Sequence, residues 1–188
     1  MREPYYGWAV DAVDGLRWLA HVDEWAFAGH LENLGGRDPR IIDVAHVRWA
    51  TLNAVTAIDL CAIEIAVQHG SVEFWSTRLP TFEGVVKMLE GETIPPGAKV
   101  WLGRVEGDRD YQSLRQNARD PLTHRFMVRS ALIGHGRTPF EIDRAAPPEH
   151  RPDARELILL ALDVADRHVA EFGRTVGGST SPPPPRPA

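Results

Sequence analysis

The sequence predicts a mainly α-helical protein, an antiparallel helical bundle with a small β-hairpin inserted late in the chain. Two long stretches near the start carry apolar residues at helical spacing, divided by a Gly-Gly break. A third amphipathic stretch closes the ordered part of the chain. Turn residues between β-branched and aromatic runs occur at one place, Gly134-His135-Gly136 flanked by Arg125–Ile133 and Arg137–Ile142, and there a hairpin is expected.

The first helix is expected from about Tyr5 to Leu34. Leu16, Ala20, Phe27, Leu31 and Leu34 recur at intervals of three, four or seven residues, which is one helical face. A second stripe, Trp18, Val22 and Trp25, lies roughly opposite, because an offset of two residues turns a helix by about 200°. A helix apolar on two sides must be covered on two sides, so this one is expected either at the centre of the bundle or against another subunit. Gly35-Gly36 ends it, and Asp38-Pro39 restarts the chain as a helix N-terminus does. The second helix is expected from about Arg40 to His69, stopped by Gly70, with Val44, Val47, Ala54, Ile58, Cys61 and Ile65 on its main face. So short a connection predicts an antiparallel hairpin of the two helices. Arg48 and Asp59 share one stripe of the second helix and are expected in a buried polar network, since buried charges need partners.

The middle is less regular. Phe82, Val85, Val86 and Leu89 predict a short helix closed by Gly91 and the Pro95-Pro96-Gly97 turn, and Lys99 to Leu102 reads as a brief extended piece. Tyr111, Leu114 and Ala118 give a helical face ending near Asp120-Pro121. Ala145-Ala146-Pro147-Pro148 reads as a linker. The last helix, from about Pro152 to Gly173, turns Leu157, Ala161, Val164, Ala165, His168 and Phe172 inward, with His168 expected as a hydrogen-bonded core histidine. Residues 1–176 are therefore expected to form one domain, and 177–188, dominated by Ser, Pro and Gly, a disordered Pro-rich tail.

Composition narrows the function classes. At 188 residues the chain can bury one sizeable core. Its net charge of −5 argues against a protein basic all over that binds nucleic acid through its whole surface. Its single cysteine, Cys61, excludes an internal disulfide framework and cysteine-based zinc patterns, and its apolar setting predicts a buried, inert thiol. No basic start with a following apolar run marks a signal peptide, and no stretch approaches the roughly 18 uninterrupted apolar residues of a membrane span. The expectation is a cytoplasmic protein with no membrane partner.

Charge is unevenly spread. Residues Arg115 to Arg137 hold five arginines, at 115, 119, 125, 129 and 137, against one acid, Asp120. That is a local charge of +4, which leaves −9 for the rest of the chain. Such a patch attracts a phosphate-bearing partner, and the planar guanidinium fork suits phosphate because it offers two donors at once. Inside the patch, Arg119-Asp120-Pro121-Leu122-Thr123-His124 sets a histidine five positions after an arginine.

On these residues, and on the order of two long antiparallel helices, an irregular middle, the Arg/His motif and a closing helix, the chain resembles the HEPN superfamily of helical bundles. The resemblance covers most of residues 5 to 173 and implies a metal-independent endoribonuclease of toxin–antitoxin or defence type that works as a homodimer. It implies no cofactor, RNA as substrate and an antitoxin protein as a further partner class. In that reading His124 exchanges the proton of a ribose 2′-hydroxyl or of the leaving oxygen, as an imidazole titrating near neutrality can. Arg119 stabilises the charge gathering on the phosphate, and Asp120 orients the histidine. Arg115, Arg125 and Arg129 are the expected RNA-binding residues.

The residues alone leave a plainer alternative open. Asp120-Pro121 also reads as an N-cap and first helical position, with Arg119 a surface ion-pair partner. The chain is then a non-catalytic helical interaction or RNA-binding module. No metal site is expected: His21, Asp23 and Glu24 point in different directions on a helix. His46, Asp59 and Glu64 lack the Glu-x-x-His pattern of di-metal bundles.

Overall fold

The computed structural model describes residues 5–33, 40–69, 81–119 and 152–176, and the side chains among them other than those of 24, 26–33, 40–42 and 117–119. Their regular elements are helical: α1 (Tyr5–Asn33), α2 (Arg40–His69), α3 (Phe82–Met88), α4 (Pro96–Gly107), α5 (Arg109–Ser113), a π-helical run (Leu114–Arg119) and α6 (Ala154–Thr175). The expected hairpin over Arg125–Ile142, the linker and the tail lie outside the described residues.

α1, α2 and α6 each pack on the other two and enclose the core. Trp49 of α2 lies against Gly15 of α1, while Asp23 further along α1 meets His46 earlier in α2, so this pair is antiparallel as the sequence predicts. Tyr6 stacks at 5.3 Å on Phe172 and Arg17 pairs with Asp166, so α1 and α6 are antiparallel too. α2 is the central element, touching α1, α3, the π-helical run and α6. From Leu60 to Ala66 every one of its residues is buried, Glu64 included. Its Asp43–His69 portion is long and apolar enough to cross a membrane by composition, at a mean hydropathy of 1.6. A helix surrounded by protein on all sides has the same composition, and 72% of that apolar window is buried in the bundle.

α6 is the most one-sided helix. Leu157, Ile158, Ala161, Val164, Ala165, Val169 and Phe172 face the core at intervals of three and four. Its start is fixed by a capping box: Asp153 accepts from the Glu156 backbone N–H at 2.9 Å, and the Glu156 carboxylate accepts from the Asp153 N–H at 2.8 Å.

Lys99 to Leu102 is not extended but sits in the middle of α4. Pro96 opens this helix in the one place where a missing N–H costs nothing. Ala98, Trp101, Leu102 and Val105 then supply a buried helical stripe. α4 runs antiparallel to α6, with Gly97 against Thr175 and the Trp101 indole donating to the His168 carbonyl at 2.9 Å. Gly91, at φ +86°, makes the turn that ends α3, as expected.

The polar network expected of Arg48 and Asp59 takes another form. Arg48 is exposed on α2, and Asp59 accepts the backbone N–H of Phe82 at 2.7 Å, docking the first residue of α3 on α2. The second stripe of α1 is also not covered within the described chain, since Trp18 is 63% and Trp25 77% exposed.

Candidate functional site

Three long helices bring a carboxylate, an imidazole and a guanidinium to one place. Asp23 of α1 is wholly buried, and its Oδ1 lies 2.7 Å from Nδ1 of His46 on α2. Its Oδ2 is 4.0 Å from Nη1 of Arg155, in the first turn of α6, and the same nitrogen donates to the Ala20 carbonyl. Asp43, also wholly buried, precedes His46 by one turn of α2.

A carboxylate only accepts, so Nδ1 of His46 is the donor in this contact. The His46 side chain remains 23% exposed. A buried acid that holds the ring in one orientation is what a proton-carrying histidine needs. Nothing in the sequence joins these residues, which are 23 and 132 positions apart. The helical phase of Asp23, on the core side of α1 among Leu16, Leu19 and Ala20, was the available signal.

The second histidine–aspartate pair is different. His168 Nε2 lies 2.7 Å from Oδ2 of Asp108, but the His168 side chain is only 4% exposed and its Nδ1 is buried without a hydrogen-bond partner. Asp108 caps α5, accepting from the backbone N–H groups of Asp110 (2.8 Å) and Tyr111 (3.3 Å), and pairs with Arg167 at 2.8 Å. Burial pushes its carboxyl upward, but His168, the two N–H groups and the Arg167 cation outweigh that and hold it below the usual aspartate range. This network fastens the α4–α5 corner to α6. His168 is the core histidine the sequence predicts.

Of the sequence-predicted site residues, Arg115 lies in the π-helical run, where its guanidinium pairs with Glu83 of α3. It borders a hollow of about 340 Å³ that Glu83, Lys87, Glu90, Glu106 and Gln112 also line. A phosphate there would compete with a carboxylate for Arg115. Arg119 is the last residue of the π-helical run, which packs on α2. Its side chain, and Asp120, His124, Arg125 and Arg129 altogether, lie outside the described residues. Single-turn π segments inside helices are frequent at functional sites, and this one leads directly into the Arg-x4-His motif.

Among the described residues no three His, Cys, Asp or Glu side chains are grouped to hold a metal ion. Cys61 is fully buried, and burial, with Glu64 adding to it, pushes its thiol far above the ordinary range, so it is no nucleophile. No family model, no curated protein and no solved structure matches the chain.

Proposed function

We propose that the chain is a HEPN-like protein acting on RNA, a metal-independent endoribonuclease in which Arg119 and His124 are joined by the Asp23–His46 pair. The observation that carries this reading is a solvent-reaching imidazole, 23% exposed, fixed by a wholly buried carboxylate beside a guanidinium. Transesterification of RNA needs a proton taken at one oxygen and given at another. The ribose 2′-oxygen bonds to phosphorus as its proton leaves, the bond from phosphorus to the 5′-oxygen breaks, and that oxygen gains a proton. His124 and His46 are the two carriers, Asp23 positions His46, and Arg119 offsets the charge on the phosphoryl oxygens. A cytoplasmic setting and an antitoxin protein as partner belong to the same reading.

The test is incubation of the full chain with RNA in EDTA. Cleavage leaving 2′,3′-cyclic phosphate ends is expected, lost in Arg119→Ala and His124→Ala and reduced about 10²–10⁴-fold in His46→Ala, the span of general acid–base catalysis. Asp23→Asn is expected to act as His46→Ala does. An inert wild type that still binds RNA in a salt-sensitive way sinks the enzyme and leaves the non-catalytic module.

A further inference from the structure

We propose that the tryptophan face of α1 and α2 is the seat of a second copy of this chain, docked with the two α1 helices antiparallel about a two-fold axis between Leu16 and Arg17. This inference does not depend on RNA cleavage.

Trp8, Trp18 and Trp25 of α1 are 44%, 63% and 77% exposed, and Trp49 and Leu52 of α2 are each 40% exposed. On α1 they belong to the stripe Trp8, Asp11, Gly15, Trp18, Val22, Trp25, on the side away from Ala9, Val13, Leu16 and Ala20. Its intervals are three, four, three, four and three, the seam of a helix pair. That series reads the same from either end. A two-fold interface uses the same patch on both copies, and in an antiparallel copy the positions of this stripe come opposite one another, the tryptophans at its ends and centre supplying the apolar contact. Trp8 faces the partner's Trp25, Asp11 the partner's Val22, and Gly15 the partner's Trp18. Gly15 has its own reason to lack a side chain, since a Cβ there would come within 3.3 Å of the Trp49 ring. The glycine and that indole make a floor on which the partner's Trp18 lies.

Area agrees. With side chains of about 250 Å² for tryptophan, the exposed fractions of these residues amount to about 600 Å² per copy. Two copies reach about 1,200 Å², above the roughly 1,000 Å² that a specific interface needs. Arg17, beside the stripe, is already held by both Asp14 and Asp166.

The test is the mass of the full chain in solution by light scattering. A dimer is expected for the wild type, and half that mass for Trp18→Glu/Trp25→Glu with its helical circular dichroism retained. The register is checked apart from that variant. Asp11→Cys mixed with Val22→Cys is expected to give a covalent dimer with a short thiol cross-linker, more than either does alone, while buried Cys61 takes no part. A monomeric wild type, a dimer that survives the double substitution, or cross-linking strongest between like positions overturns the proposal. So does a monomer whose tryptophan emission shifts with RNA or with phosphatidylglycerol vesicles, which assigns the face to that occupant.

Discussion

At the scale of single residues, the two histidine–aspartate pairs show how exposure separates chemistry from architecture. Their hydrogen bonds are equally short, 2.7 Å, yet His46 reaches solvent and His168 does not. The sealed pair is expected to matter for stability. Asp108→Ala removes a helix cap and the hydrogen-bond partner of a buried imidazole, and is expected to cost about 2–4 kcal/mol in urea unfolding. Acid dependence follows from the sign of the Asp108 shift. Its carboxyl is held below the ordinary value, so the stabilisation is complete above the unfolded pKa of about 3.9 and lost as pH falls through the lower folded one. Asp108→Asn is expected to flatten the loss of stability below about pH 4, as urea midpoints measured down to about pH 2 would record. A variant that keeps the wild-type acid slope refutes that assignment.

At the scale of elements, legibility followed the length of the repeat. α1, α2 and α6 carry enough turns for the helical period to be read, and their bounds, Tyr5–Asn33, Arg40–His69 and Ala154–Thr175, lie within about two residues of expectation, the usual margin. α4 was misread because Pro95-Pro96-Gly97 signals a turn and Val100-Trp101-Leu102 looks like a strand when taken alone. Only the four-residue stripe from Ala98 to Val105 marks the helix. The Asp23–His46–Arg155 cluster was illegible for a different reason, because a tertiary meeting leaves no spacing in the sequence. The close passage of α4 over α6 yields a paired prediction. Gly97→Ala drives a methyl into the Thr175 carbonyl and is expected to cost about 1–3 kcal/mol, as overpacking does. Gly103→Ala, exposed in the same helix with open space around it, is expected to stabilise by about 0.5–1 kcal/mol. Thermal unfolding of the two variants beside the wild type decides it, and equal shifts would refute the packing argument.

At the scale of the whole molecule, the apolar residues of α1 serve two sides. One side meets α2 and α6 inside the chain, and the other, carrying Trp18 and Trp25, has no cover among the described residues. Association that joins folded chains and not unfolded ones adds to stability by mass action. The unfolding midpoint of the wild type is therefore expected to rise with protein concentration, while that of Trp18→Glu/Trp25→Glu stays constant and meets the wild-type value only at high dilution. Trp18 and Trp25 are not among the buried core residues, and it is the dependence on concentration that measures the association. Calorimetric scans over a hundredfold range of concentration read it. A midpoint independent of concentration in both chains means that α1 leaves its tryptophans in water, and the two-fold packing then fails even if some other surface joins the copies.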